Sequence, residues 1–91
     1  MSLKKFTQDP DEVLDYTIDW SEWLASGDTI TEVTATPASG ITVDSSSFTV
    51  SSTTIWVSGG AAGQRYDISV HVVTNGGREG DRSITIEIKE K

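Results

Sequence analysis

The sequence predicts an all-β fold, a two-layer antiparallel sandwich of about seven strands, and three observations carry that prediction. Apolar residues fall on every second position through 66–72 and again through 84–88. This alternation puts Tyr66, Ile68, Val70 and Val72 on one face, with Ile84, Ile86 and Ile88 facing the same way on the next strand. Between the two runs stands Thr74-Asn75-Gly76-Gly77-Arg78, whose Asn-Gly step is hairpin chemistry. Upstream, further short strand-like runs recur roughly every 8–12 residues, separated by Gly, Pro, Ser and Asp clusters.

The elements follow in order. Residues 1–8 read as an N-terminal arm, whose Met1-Ser2-Leu3 start has the form of a vector remnant, and 9–91 read as a single domain. Asp9-Pro10-Asp11-Glu12 is a turn, with proline presetting the backbone. Through 13–20 the pattern alternates, Leu14, Tyr16, Ile18 and Trp20 inward against Asp15, Thr17 and Asp19 outward. The stretch 21–28 is too short for a helix of its own. One helical turn is expected there, opened by Asp19 or Ser21 and stopped by Gly27. Strands are expected at 29–36, 41–43, 48–50 and 53–57, with Pro37-Ala38-Ser39-Gly40 and Asp44-Ser45-Ser46-Ser47 as turns. The Ser/Thr-rich middle still alternates with Val43, Phe48, Val50, Ile55 and Val57, so it reads as strands with hydroxylic outer faces. Gly59-Gly60-Ala61-Ala62-Gly63 then makes a sharp corner into the strand headed by Tyr66. A tyrosine at that place ties down the corner of an immunoglobulin-like sandwich. Its hydroxyl is expected to bond a backbone group in or near 59–63, making Tyr66 and Gly63 the structural corner.

Composition narrows the function. At 91 residues the chain is one domain, burying about 60–65% of its unfolded surface. It has no cysteine, so its core must hold by packing, for which three tryptophans, two tyrosines and two phenylalanines are available. No apolar run approaches the ~20 residues of a membrane-spanning helix, and the basic start has no apolar segment behind it, so neither a membrane partner nor a secretory signal is expected. Fourteen acidic residues against seven basic ones give a formal charge of −7. The cations are scattered and nucleic acid is excluded as a partner, because phosphate binding needs clustered Lys and Arg. The acids crowd the first third, as Asp9, Asp11, Glu12, Asp15, Asp19, Glu22, Asp28 and Glu32. That face is either a solvated surface or a dock for a basic neighbour.

Nothing in the chain assembles a reaction centre. His71, the only histidine, lies out of phase with Val70 and Val72 and reads as a surface residue. Carboxylates such as Asp15, Asp19 and Glu87 alternate outward, where no burial raises a pKa for acid–base work. Asp9-x-Asp11 resembles a calcium pair only locally, because the glycine and terminal glutamate of a full loop are missing. The serines at 45–47 and 51–52 have no base beside them in the sequence, and the glycine-rich corner opens a strand where a phosphate loop would open a helix. No enzyme activity, cofactor or metal is expected.

The aromatic residues remain. Trp20 shares its phase with Tyr16 and Ile18 and belongs to the core, while Trp23 and Leu24 are placed to plug one end of the sandwich. Trp56 is out of phase with Ile55 and Val57. Either those aliphatics are buried and the ring is exposed, or the ring is buried with Thr54 and Ser58 and two aliphatics meet water. The first arrangement makes Trp56, Thr54 and Ser58 a candidate protein interface on a weakly charged strand, the place where an open sheet edge would be used.

Two blocks carry a family resemblance. Asp9-Pro10-Asp11-Glu12-Val13-Leu14-Asp15-Tyr16-Thr17-Ile18-Asp19-Trp20-Ser21-Glu22-Trp23-Leu24, followed by Gly27-Asp28-Thr29-Ile30, resembles the opening of phage fibre–tail adaptor proteins, small structural proteins of tailed phages and prophages. Val57-Ser58-Gly59-Gly60, Gly63, Tyr66 and Gly80-Asp81-Arg82-Ser83-Ile84 are similar to that family's second half. The resemblance implies a virion protein of the tail, made in the bacterial cytoplasm, that binds other virion proteins and can oligomerise within the particle; it brings no catalytic residues. An alternative reading is an immunoglobulin-like accessory domain for adhesion or carbohydrate binding, with Trp56 as the stacking ring.

Overall fold

The computed structural model describes residues 2–90, with side chains from Lys5 onward. Among the described residues the chain forms seven strands and no helix: β1 (Ser2–Gln8), β2 (Leu14–Asp19), β3 (Ile30–Pro37), β4 (Ile41–Phe48), β5 (Ser52–Gly59), β6 (Arg65–Thr74) and β7 (Glu79–Ile88). They make two sheets, one ordered β1-β7-β6-β3 and the other β2-β5-β4. Every pairing is antiparallel except β1 with β7, which is parallel.

The facing sides of the two sheets form the core. Val57, Ile68, Val70, Val72, Ile86 and Ile88 are fully buried, and Trp20, Ile55 and Ile84 nearly so. The period-2 pattern of β6 and β7 thus lands on one core, with Tyr16 and Ile18 of β2 across from it. Buried polar groups are paired: Gln8 donates to the Glu12 carbonyl at 2.8 Å and to the Val57 carbonyl at 2.9 Å, and accepts the Tyr16 hydroxyl at 2.7 Å. The Trp20 indole N–H donates to Thr53 Oγ1 at 3.0 Å. Desolvation raises the Tyr16 pKa above the usual phenol value, with Glu12 and Asp15 adding to the shift.

Two expectations change, and a third is met. Residues 2–8, read as part of an arm, instead form β1: Phe6 and Gln8 turn inward, and the strand hydrogen-bonds along β7. The physical reason is that the edge of β7 would otherwise be bare, and an alternating segment next to it covers both its backbone and Tyr16, whose ring lies 4.7 Å from that of Phe6. The turn expected at 44–47 is absent; β4 runs through it with an irregular register between Val43 and Ser45. The chain reverses later, where the Thr49 hydroxyl accepts the Ser51 and Ser52 N–H groups and the Thr49 N–H donates to the Ser52 carbonyl. The helical turn after β2 is a lone loop of backbone bonds, from the Trp23 and Leu24 N–H groups to the Trp20 carbonyl. Asp19 Oδ1 caps it by accepting the Ser21 N–H at 2.9 Å, and Gly27 ends the segment at φ +79°.

Candidate functional site

β5 is the central strand of its sheet, bonded to β2 on one side and β4 on the other. The strand expected to offer an open edge is therefore paired on both sides, and what it presents to solvent is a face. Ile55 and Val57 point into the core, at 2% and 0% exposure, so Trp56 must point out, and it is 42% exposed. Trp56 stands opposite Asp15 of β2 and Ser45 of β4. Thr54 stands opposite Thr17 and Ser47, and Ser58 opposite Thr42. Thr17 and Thr54 share a hydrogen bond at 3.0 Å. The result is one indole ring in a field of hydroxyl groups, with a carboxylate on one flank. It offers a stacking surface and hydrogen-bond donors and acceptors, but no nucleophile with a base.

The corner around Tyr66 is built by glycines. The Tyr66 hydroxyl accepts the Ala61 N–H at 2.9 Å, and the Gly63 N–H donates to the Ile88 carbonyl at 2.7 Å. The tyrosine ring lies between two backbones. A Cβ built on Gly40 would stand 2.9 Å from its Cε1, and one on Gly60 would stand 3.1 Å from Cε2 and 2.7 Å from Ile88 Cγ1. Gly60 also has φ +91°, where a side chain is strained.

His71 is more constrained than its isolation in the sequence suggested. Its Nδ1 faces Asp81 Oδ1 at 2.8 Å and its Nε2 faces Glu79 Oε1 at 2.9 Å. The Asp81 hydrogen bond, then that of Glu79, raises its pKa above the ordinary imidazole value. An imidazolium with both N–H groups committed has no lone pair for base catalysis. The signal was the β6–β7 register, which sets His71 opposite Asp81 and Val73 opposite Glu79.

The two sequence blocks that carry the resemblance meet at one end of the sandwich. Trp20 and Trp23 pack edge to face at 5.3 Å. Arg82 lies over Trp20 at 4.4 Å and donates to the Asp19 carbonyl, while Arg78 lies over Trp23 at 4.6 Å and donates to the Trp23 carbonyl. Gly80, between the arginines, gives Trp23 its room, because a Cβ there would be 2.7 Å from Trp23 Cζ2. Asp28 fastens the adjoining loop to the β6–β7 turn by accepting the Gly76 N–H at 2.8 Å. A model of the family described as podophage GP4 fiber-tail adaptor protein gp77 matches residues 8–87. The chain belongs to that family. A comparison with individually curated proteins found no match. The matched span runs from Gln8, the last residue of β1, nearly to the end of β7, so it takes in the tryptophan–arginine clasp, the Tyr66 corner and the Trp56 face of this fibre–tail adaptor. Family membership makes the chain a structural protein of the phage virion.

Proposed function

We propose that this adaptor-family protein is a non-enzymatic tail module of immunoglobulin-like fold that joins other virion proteins, with the outer face of the β2-β5-β4 sheet as a contact surface. The observation that carries the reading is Trp56, held 42% exposed at the middle of the central strand by the burial of its two neighbours. An exposed indole on a rigid sheet is an anchor with little ordering cost, and such anchors contribute roughly 2 kcal/mol or more when buried in a partner. Thr54 and Ser58 supply the polar rim beside it. The protein is made in the host cytoplasm and acts in the assembled tail, where copies can adjoin one another.

Trp56→Ala should leave the circular dichroism spectrum and melting temperature close to wild type and should lower recovery of the protein in purified phage particles. Normal recovery of a folded variant would remove Trp56 from the interface. The ring of hydroxyls around Trp56 favours one second reading, a sugar-stacking surface. Tryptophan fluorescence titration with host-surface oligosaccharides separates the two, because sugar binding that is lost in Trp56→Ala while particle recovery stays normal belongs to the second.

A further inference from the structure

The four edge strands are β1, β3, β2 and β4, and they are unequally protected. β1, β3 and β4 each carry a register irregularity, and β3 ends in Pro37; bulges and prolines are devices that stop edge pairing. β2 pairs with β5 without a break from Leu14 to Asp19, and among the described residues no strand lies along its other side. Such a strand is a template for one more. Beside it, between the sheets, opens a cavity of about 220 Å³ whose lining is mainly apolar, from Phe6, Tyr16, Ile18 and Ile84, with Thr17, Asp19 and Arg82 also contributing. Near it Gln8 bridges Tyr16 to Val57, and Arg82, over the Trp20 ring, donates to the Asp19 carbonyl. An apolar cavity of roughly 150 Å³ holds a benzene ring, so this one takes a large apolar side chain.

The charge pattern selects the occupant. Asp11, Glu12, Asp15, Asp19 and Glu22 line this stretch of chain, and no lysine or arginine falls within 11–22. A second copy of the protein is disfavoured, because two antiparallel β2 strands centred on Thr17 would set Asp15 opposite Asp19, like charge against like. A basic strand meets the opposite sign.

Building on the adaptor reading, we propose that the free edge of β2 receives an extended segment of another virion protein as an added strand, with lysines or arginines along the acidic edge and one large apolar side chain seated among Phe6, Ile18 and Ile84. Main-chain hydrogen bonds would supply affinity, and the cavity and the carboxylates would supply specificity.

The test uses the purified protein and a synthetic heptapeptide of alternating lysine and leucine, followed by amide NMR and hydrogen exchange. Binding should shift resonances along β2 and at Phe6 and Ile84 and should slow exchange of β2 amides. The matching glutamate–leucine peptide should give neither effect. Asp15→Lys with Glu22→Lys, at exposed positions, should weaken lysine-peptide binding by about tenfold or more at fixed salt. Trp56→Ala should leave it unchanged. Absence of binding at millimolar peptide, binding without protection of β2, or shifts centred on Trp56 would each overturn the edge site. The adaptor reading is decided separately, on particles, so a failure here leaves it standing. If the Asp15→Lys, Glu22→Lys variant loses the peptide yet enters particles normally, β2 is not the contact used in assembly.

Discussion

Ile86 is fully buried and Ser46 is exposed, although both lie on strands of the same sandwich. Truncating Ile86 removes methylenes from a site that facing sheets cannot collapse to fill, so Ile86→Ala should cost about 2–5 kcal/mol of stability. Ser46→Ala removes only a solvated hydroxyl and should shift stability by less than about 0.5 kcal/mol. Equilibrium urea unfolding of the two variants checks this; equal midpoints would contradict the inward phase of β7. The Gln8 bonds belong to this scale too, because they give the buried Tyr16 hydroxyl and Gln8 side chain partners where water cannot.

At the scale of elements, the segment after β2 and the start of β7 behave as one piece. Trp23 fits only because Gly80 lacks a side chain, and Arg78 and Arg82 close over the two indoles. Gly80→Ala forces a 2.7 Å approach to Trp23 Cζ2 and should destabilise by about 1–3 kcal/mol. The penalty belongs to the contact, so it should largely vanish when Trp23→Ala is already present. A double-mutant cycle by thermal denaturation measures that coupling, and strictly additive losses would mean the clasp is not a unit.

For the molecule as a whole, pH acts from two sides. Asp28 is held below the usual carboxylate range by the Thr74 hydroxyl, then by the Gly76 and Thr29 N–H groups, and Asp19 is held down by the Ser21 N–H and hydroxyl. A depressed folded pKa contributes stability above the unfolded value, near 4, and that contribution is lost as pH falls through the folded value. His71 has the opposite sign: its raised pKa contributes fully below the unfolded value, near 6.5, and the contribution is lost as pH rises through the folded one. The carboxylate and imidazolium contributions coexist at roughly pH 4–6.5, so the melting temperature should peak there and decline toward pH 8. His71→Gln should flatten the decline on the alkaline side and leave the acid side unchanged. A melting series across pH decides it, and an alkaline limb unchanged in His71→Gln would remove this histidine as its cause. The formal charge of −7 adds self-repulsion that also relaxes toward the acid side, which is why the variant comparison is needed.

The layers of this protein were legible in its sequence because side-chain alternation is a local property of an extended backbone. Leu14 to Trp20, Tyr66 to Val72 and Ile84 to Ile88 could satisfy their apolar residues in only one phase, and the same phase that buries Ile55 and Val57 turns Trp56 outward. Turn chemistry was equally local at Asn75-Gly76-Gly77, and less so at 44–47, where a serine run serves a strand as well as a turn. Which strands lie side by side is not a local property. The placing of β5 beside β2, the parallel seat of β1 on β7 and the meeting of Trp23 with Gly80 join residues far apart in the chain. Only the tertiary structure decided them, because pairing is selected by the burial that all the strands achieve together.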